Sequence, residues 1–67
     1  MKLIDRKWNA FLEKYENTWL ADQESEITAS FDGDCAEGSV IYVISTGNVY
    51  MKNTGCKWQK CGSNEVI

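Results

Sequence analysis

A run of five β-branched or aromatic residues, Val40-Ile41-Tyr42-Val43-Ile44, is followed by Ser45-Thr46-Gly47-Asn48 and then by Val49-Tyr50-Met51. This pattern reads as two antiparallel strands joined by a tight turn, with Gly47 supplying the positive φ that such turns require. The strands are placed at about 39–45 and 49–53. Thr54-Gly55 predicts a second turn, 57–60 a short last strand, and 62–67 a loose tail. Upstream, Glu26-Ile27-Thr28-Ala29-Ser30-Phe31 alternates polar and apolar residues and predicts a strand over 26–31, closed by the turn sequence Asp32-Gly33-Asp34.

The period changes toward the N-terminus. Trp8, Phe11, Leu12, Tyr15 and Trp19 recur at spacings of three and four, which places them on one face of a helix over about 5–20. Arg6, Lys7, Ala10, Glu13, Lys14 and Asn17 fall on the opposite, solvated face. The expected fold class is therefore α+β: one N-terminal amphipathic helix packed on a three- to four-stranded antiparallel β-meander. At 67 residues the chain is long enough for a single domain, 1–67, and a chain of this size buries only about 60% of its unfolded surface. Three Trp, three Tyr and two Phe supply the apolar bulk that a folded core needs.

Side-chain parity divides the central hairpin into two faces whichever two-residue turn is chosen. Val40, Tyr42, Ile44, Val49 and Met51 share one face. Ile41, Val43 and Tyr50 share the other with Ser45 and Lys52. One helix covers one face of a small sheet, so the second is expected to meet a partner or another copy of the chain. The residues expected to make that apolar contact are Ile41, Val43, Tyr50 and Trp58.

Charge is unevenly distributed. Net charge is −3, and Asp22, Glu24, Glu26, Asp32, Asp34 and Glu37 lie in a stretch without a single base. These six are the alternative contact set, an acidic surface able to cover a basic groove or mimic nucleic acid. An acidic chain with one arginine is poorly suited to binding phosphate itself, which argues against nucleic acid as a ligand. No apolar run approaches the ~20 residues of a membrane helix, and the first residues lack the apolar stretch of a secretory signal, so neither a membrane segment nor a signal peptide is expected.

Catalytic chemistry finds little support. The chain has no His and three cysteines, Cys35, Cys56 and Cys61, too few and too widely spaced for a structural zinc site. Cys35 sits among acids that raise a thiol pKa, which disfavours a cysteine nucleophile. The cysteines are expected to be reduced. No phosphate-cradling glycine motif occurs, and Asp32-Gly33-Asp34 with Glu37 lacks the twelve-residue calcium-loop pattern. No cofactor or metal is expected, and the chain is read as non-enzymatic.

The segment from Gly38-Ser39 through Val40–Asn53 to Gly55-Cys56-Lys57-Trp58 resembles small tailed-phage proteins, virion-associated and head-decoration-like, in which Gly-Ser opens a strand, a Thr-Gly turn follows, Val-Tyr-Met returns and Gly-x-x-Trp closes the meander. The resemblance covers about a third of the chain. It implies a bacteriophage structural protein that acts by protein–protein interaction, in the virion or the host cytoplasm. The alternative within the same setting is a small acidic inhibitor of a host protein, of the anti-CRISPR or polymerase-inhibitor type.

Overall fold

The computed structural model describes residues 1–67 and is essentially all-β. Strands β1 (Lys2–Asn9), β2 (Lys14–Ala21), β3 (Val40–Val43), β4 (Val49–Lys52) and β5 (Trp58–Lys60) form one sheet in the order β1-β2-β3-β4-β5. All neighbours are antiparallel except β2 and β3, which run parallel. The only helical element is a single 3-10 turn, Glu24–Glu26.

The expected N-terminal helix is replaced by the β1–β2 hairpin, and the α+β assignment is corrected accordingly. Tyr15 and Trp19 are four residues apart, a spacing that lies on one face of a helix and equally on one face of a strand. Phe11 and Leu12, which complete the helical stripe, lie in the connection between the strands. That connection is set by Asn9, whose Oδ1 accepts the Leu12 N–H at 3.0 Å, and by Glu13 at φ 53°. Trp, Asn, Phe, Tyr and Thr sit in the weaker half of the helix scale, and a lone helix of this length is marginal in water. As strands, the same residues gain cross-strand partners. Trp8 lies opposite Tyr15 with ring centroids 4.9 Å apart and edge-to-face, and the Arg6 guanidinium stacks 3.6 Å from the Tyr15 ring centroid.

A parallel pair needs a crossover of a dozen or more residues. Residues 22–39 provide it, and they include the segment expected to form a strand at 26–31. That segment makes local turn hydrogen bonds instead of pairing as a strand: Ile27 N–H to Glu24 O at 3.0 Å, and Phe31 N–H to Thr28 O at 3.1 Å. The crossover lies across one face of the sheet and closes the core, inserting Ile27 and Cys35 among Ala21, Ile41, Val43, Tyr50 and Trp58, with Trp19 and Phe31 packed alongside. Two indoles fasten it. Trp58 Nε1 donates to Phe31 O at 2.8 Å and Trp19 Nε1 to Asp32 Oδ2 at 2.7 Å.

The later strands are shorter than expected but lie within the expected ranges. The tail is not loose along its length. Lys60 N–H donates to Glu65 O and Ile67 N–H to Trp58 O, both at 2.9 Å, and Val66 bridges Gln59, so the chain end folds back on the edge of β5.

Trp58 is wholly buried and Tyr42 is half exposed on the far face. A domain of this length has a stability of roughly 3–10 kcal/mol. Trp58→Ala is expected to cost about 3–5 kcal/mol, enough to unfold much of the population, and Tyr42→Ser about 1 kcal/mol or less. Urea denaturation followed by circular dichroism measures both.

Candidate protein-binding face

Side chains alternate across β2, β3 and β4, and the crossover covers only one of the two faces. The covered face holds Ile41, Val43, Tyr50 and Trp58, each 5% exposed or less. The sequence reading assigned these four to partner contact, and the structure places them in the core instead. The register Leu20↔Tyr42↔Val49 and Thr18↔Val40↔Met51↔Gln59 builds the other face. There Tyr42 and Met51 are exposed and Leu20, Val40 and Val49 half-buried, with Ile44 exposed just beyond β3.

The face carrying no charge on β3 and β4 is thus the one open to solvent, while the face carrying Lys52 is buried. Lys52 is accommodated because its Nζ donates to Asp32 O at 3.1 Å and lies 5.0 Å from the Trp58 ring centroid. Its register partner is Trp58 itself. A lysine on a strand normally marks the solvent side, so sequence parity identified both faces and missed which one the crossover takes.

The six acidic residues do not form one free surface. Glu24 accepts from the Tyr50 hydroxyl and, at 3.0 Å, from Asn48 Nδ2. Glu26 accepts from the Met1 amino group at 2.6 Å and from Gln23 N–H at 2.7 Å. Asp32 accepts from Asn17 Nδ2 at 2.9 Å as well as from Trp19. Glu37 accepts from the Cys56 thiol at 3.2 Å. Asp22 and Asp34 are exposed and carry no side-chain hydrogen bond within the chain. The acidity therefore serves largely to tie the crossover and its neighbours together.

These ties shift the groups involved. The hydrogen bond from Tyr50, reinforced by Asn48, holds the Glu24 carboxyl below its ordinary range, and the amino-terminal hydrogen bond does the same for Glu26. The Glu24 carboxylate pushes Tyr50 up to about 12. Burial pushes the Cys35 thiol up, against a smaller opposing effect of a hydrogen bond with Ser39. Cys35 is buried and Cys56 and Cys61 are exposed, all three as free thiols. No group of three or more metal-ligating side chains converges, and no helix is long and apolar enough to cross a membrane.

The pH dependence of stability follows in sign. Glu24 and Glu26, depressed in the fold, stabilise it above the ordinary carboxylate range, and that contribution is lost as pH falls through their folded pKa values. Tyr50, raised in the fold, stabilises it below about pH 10 and loses that contribution between about pH 10 and 12. In thermal melts across pH, Tyr50→Phe is expected to shrink both the alkaline loss and the acid one, while the raised Cys35 thiol and Met1 amino group keep part of the alkaline loss. With a thiol-reactive chromophore, Cys56 and Cys61 are expected to react rapidly in the native protein and Cys35 only on unfolding.

No protein-family model matches the chain, and no curated protein or solved structure is significantly similar to it.

Proposed function

We propose that this chain is a non-enzymatic protein-binding module that docks through its open sheet face onto a repeated protein surface. The observation that carries the reading is the apolar face formed by Leu20, Val40, Tyr42, Val49 and Met51, opposite the crossover. An apolar sheet face left in water is a cost that a contact surface recovers on docking.

Size argues for the kind of docking. Strand spacing and rise give the β2–β5 part of this face a footprint on the order of 250 Å². A stable pairwise interface takes about 800 Å² from each partner. A contact of this size is weak alone and becomes effective when many identical contacts act together, as on the surface of an assembled particle. The resemblance of Gly38–Trp58 to virion-associated phage proteins supports the same setting, with the chain as a structural or decoration component. The acidic-inhibitor reading ranks second, because four of its six carboxylates are engaged within the chain.

The test is co-sedimentation with assembled virus particles from the chain's own source, paired with light scattering of the free chain. The free chain is expected to be a monomer at low and high salt. Binding to particles is expected to saturate, to survive high salt, and to be lost in Tyr42→Asp and Met51→Asp while persisting in Asp22→Lys and Asp34→Lys. Binding that disappears with salt and with the two charge reversals, but not with the open-face variants, would overturn the proposal in favour of an acidic contact.

A further inference from the structure

The β1–β2 hairpin reaches beyond the sheet. β2 pairs with β3 only over Thr18–Ala21, so its first half and the facing half of β1 have a neighbour on one side only. On the crossover side of this free half lies a cleft of about 340 Å³, walled by Arg6, Trp8 and Tyr15 on the hairpin and by Asp34 and Cys35 on the crossover. That volume is at the lower end of the range of small-molecule sites. The apolar face of the proposed docking surface lies on the opposite side of the sheet, so the two surfaces are independent.

Three features of the cleft bear on what it takes. Trp8 is 51% exposed although it is one of the largest apolar side chains, and its contact with Tyr15 is edge-to-face at 68°, so about half of its surface stays open to a ligand. Asn17, which also lines the cleft, is only 8% exposed, and while its Nδ2 is bound to Asp32, its buried Oδ1 accepts nothing. An orphaned buried acceptor is uncommon and costs stability until a donor reaches it. The lining mixes charges of both signs, the carboxylates of Glu13, Asp32 and Asp34 with the cations of Arg6 and Lys14, and Asp32 is already hydrogen-bonded to Asn17 and Trp19.

The geometry points to a carbohydrate-binding site in this cleft, taking a neutral sugar ring against Trp8 with its hydroxyls toward Arg6, Asp34 and Asn17. An exposed aromatic face suits the C–H side of a pyranose, whose apolar hydrogens meet the negative face of the ring. A hydroxyl both donates and accepts, so it matches a rim that offers guanidinium donors and carboxylate acceptors together. Arg6, held flat on Tyr15 at 3.6 Å, presents its N–H groups in a fixed plane suited to adjacent hydroxyls. Asn17 Oδ1 is fully buried, so a hydroxyl reaches this unpaired acceptor only where the wall of the cleft shifts to uncover it. A cationic ligand would meet Arg6 and Lys14, and an anion would meet Glu13, Asp32 and Asp34, so a rim that mixes both signs favours a neutral ligand able to donate and accept at once.

The test is a titration of the full chain, followed by indole fluorescence and by NMR, with glucose, galactose, mannose and N-acetylglucosamine and with their oligosaccharides. Saturable binding in the millimolar range to at least one of these is expected. Trp8→Ala is expected to weaken it about tenfold or more, and Asp34→Ala to weaken it as well. Both positions lie outside the core, so circular dichroism should show the fold retained. Tyr42→Asp on the opposite face is expected to leave sugar binding unchanged, which separates this result from the fate of the docking proposal. Absence of saturable binding across the panel would overturn the inference. So would binding indifferent to Trp8→Ala, or saturation by lysine amide or inorganic phosphate in place of the sugars.

Discussion

Two indole N–H bonds hold the crossover against the sheet, from Trp58 to Phe31 O and from Trp19 to Asp32 Oδ2. Parallel pairing of β2 and β3 obliges the chain to travel back along the sheet, and in larger proteins a helix makes that journey and satisfies its own backbone. Here residues 22–39 do it with one 3-10 turn and otherwise irregular chain, so their polar groups find partners elsewhere. Ala36 N–H donates to Tyr15 O, Gly38 N–H to Lys52 O, and Ser39 Oγ accepts from Asn17 N–H. The crossover is thus woven into β2 and β4 along its length. Its bulk comes from Ile27, Phe31 and Cys35, whose burial would be lost if the indoles let go.

Covering one face this way leaves the other bare, and the asymmetry is chemical as well as geometric. Trp58 and Trp19 bring N–H donors that need acceptors when buried, and the crossover supplies them. Lys52 brings an ammonium that needs a carbonyl, and Asp32 supplies it. Tyr42, Val49 and Met51 carry no group that an irregular polypeptide must bind, beyond a phenol that can stay in water. A segment rich in acids and backbone carbonyls therefore gains more by lying on the polar-tipped side. Burying a lysine for this purpose is not in itself a source of stability. It selects which side the crossover takes.

The hairpin of β3 and β4 was legible from Gly47 and the β-branched runs on either side, and the division of its residues into two faces followed from parity alone. The N-terminal element was not legible. Tyr15 and Trp19 satisfy both periods, and only the placement of Phe11 and Leu12 in a turn decides between them, a matter of where Asn9 bends the chain. Ile27, Ala29 and Phe31 alternate as a strand would, yet Ile27 is buried and Ala29 exposed, because the long-range demand of a parallel connection overrode a local pattern. The open face was missed for a related reason. Lys52 marks its own face as solvent-exposed by every local criterion, and its burial depends on an Asp32 carbonyl twenty residues away in sequence. The cleft beside Trp8 was illegible once the hairpin had been read as a helix, since its two aromatic walls come from different strands.

The free half of the β1–β2 hairpin shows how far this dependence extends. A two-stranded ribbon is marginal by itself in water, and between Arg6 and Asn17 the ribbon has no third strand. Its cross-strand contacts, Trp8 with Tyr15 and Arg6 with Tyr15, stabilise it only by amounts on the order of 1 kcal/mol each. The crossover provides the remainder, through Tyr15 O, the Asn17 backbone and side chain, and the Trp19 indole. The same segment that closes the core thus also holds the hairpin out as an ordered wall. A cleft between the two keeps its shape only while both are docked, so the stability of the domain and the preorganisation of the Trp8 surface rest on one set of bonds.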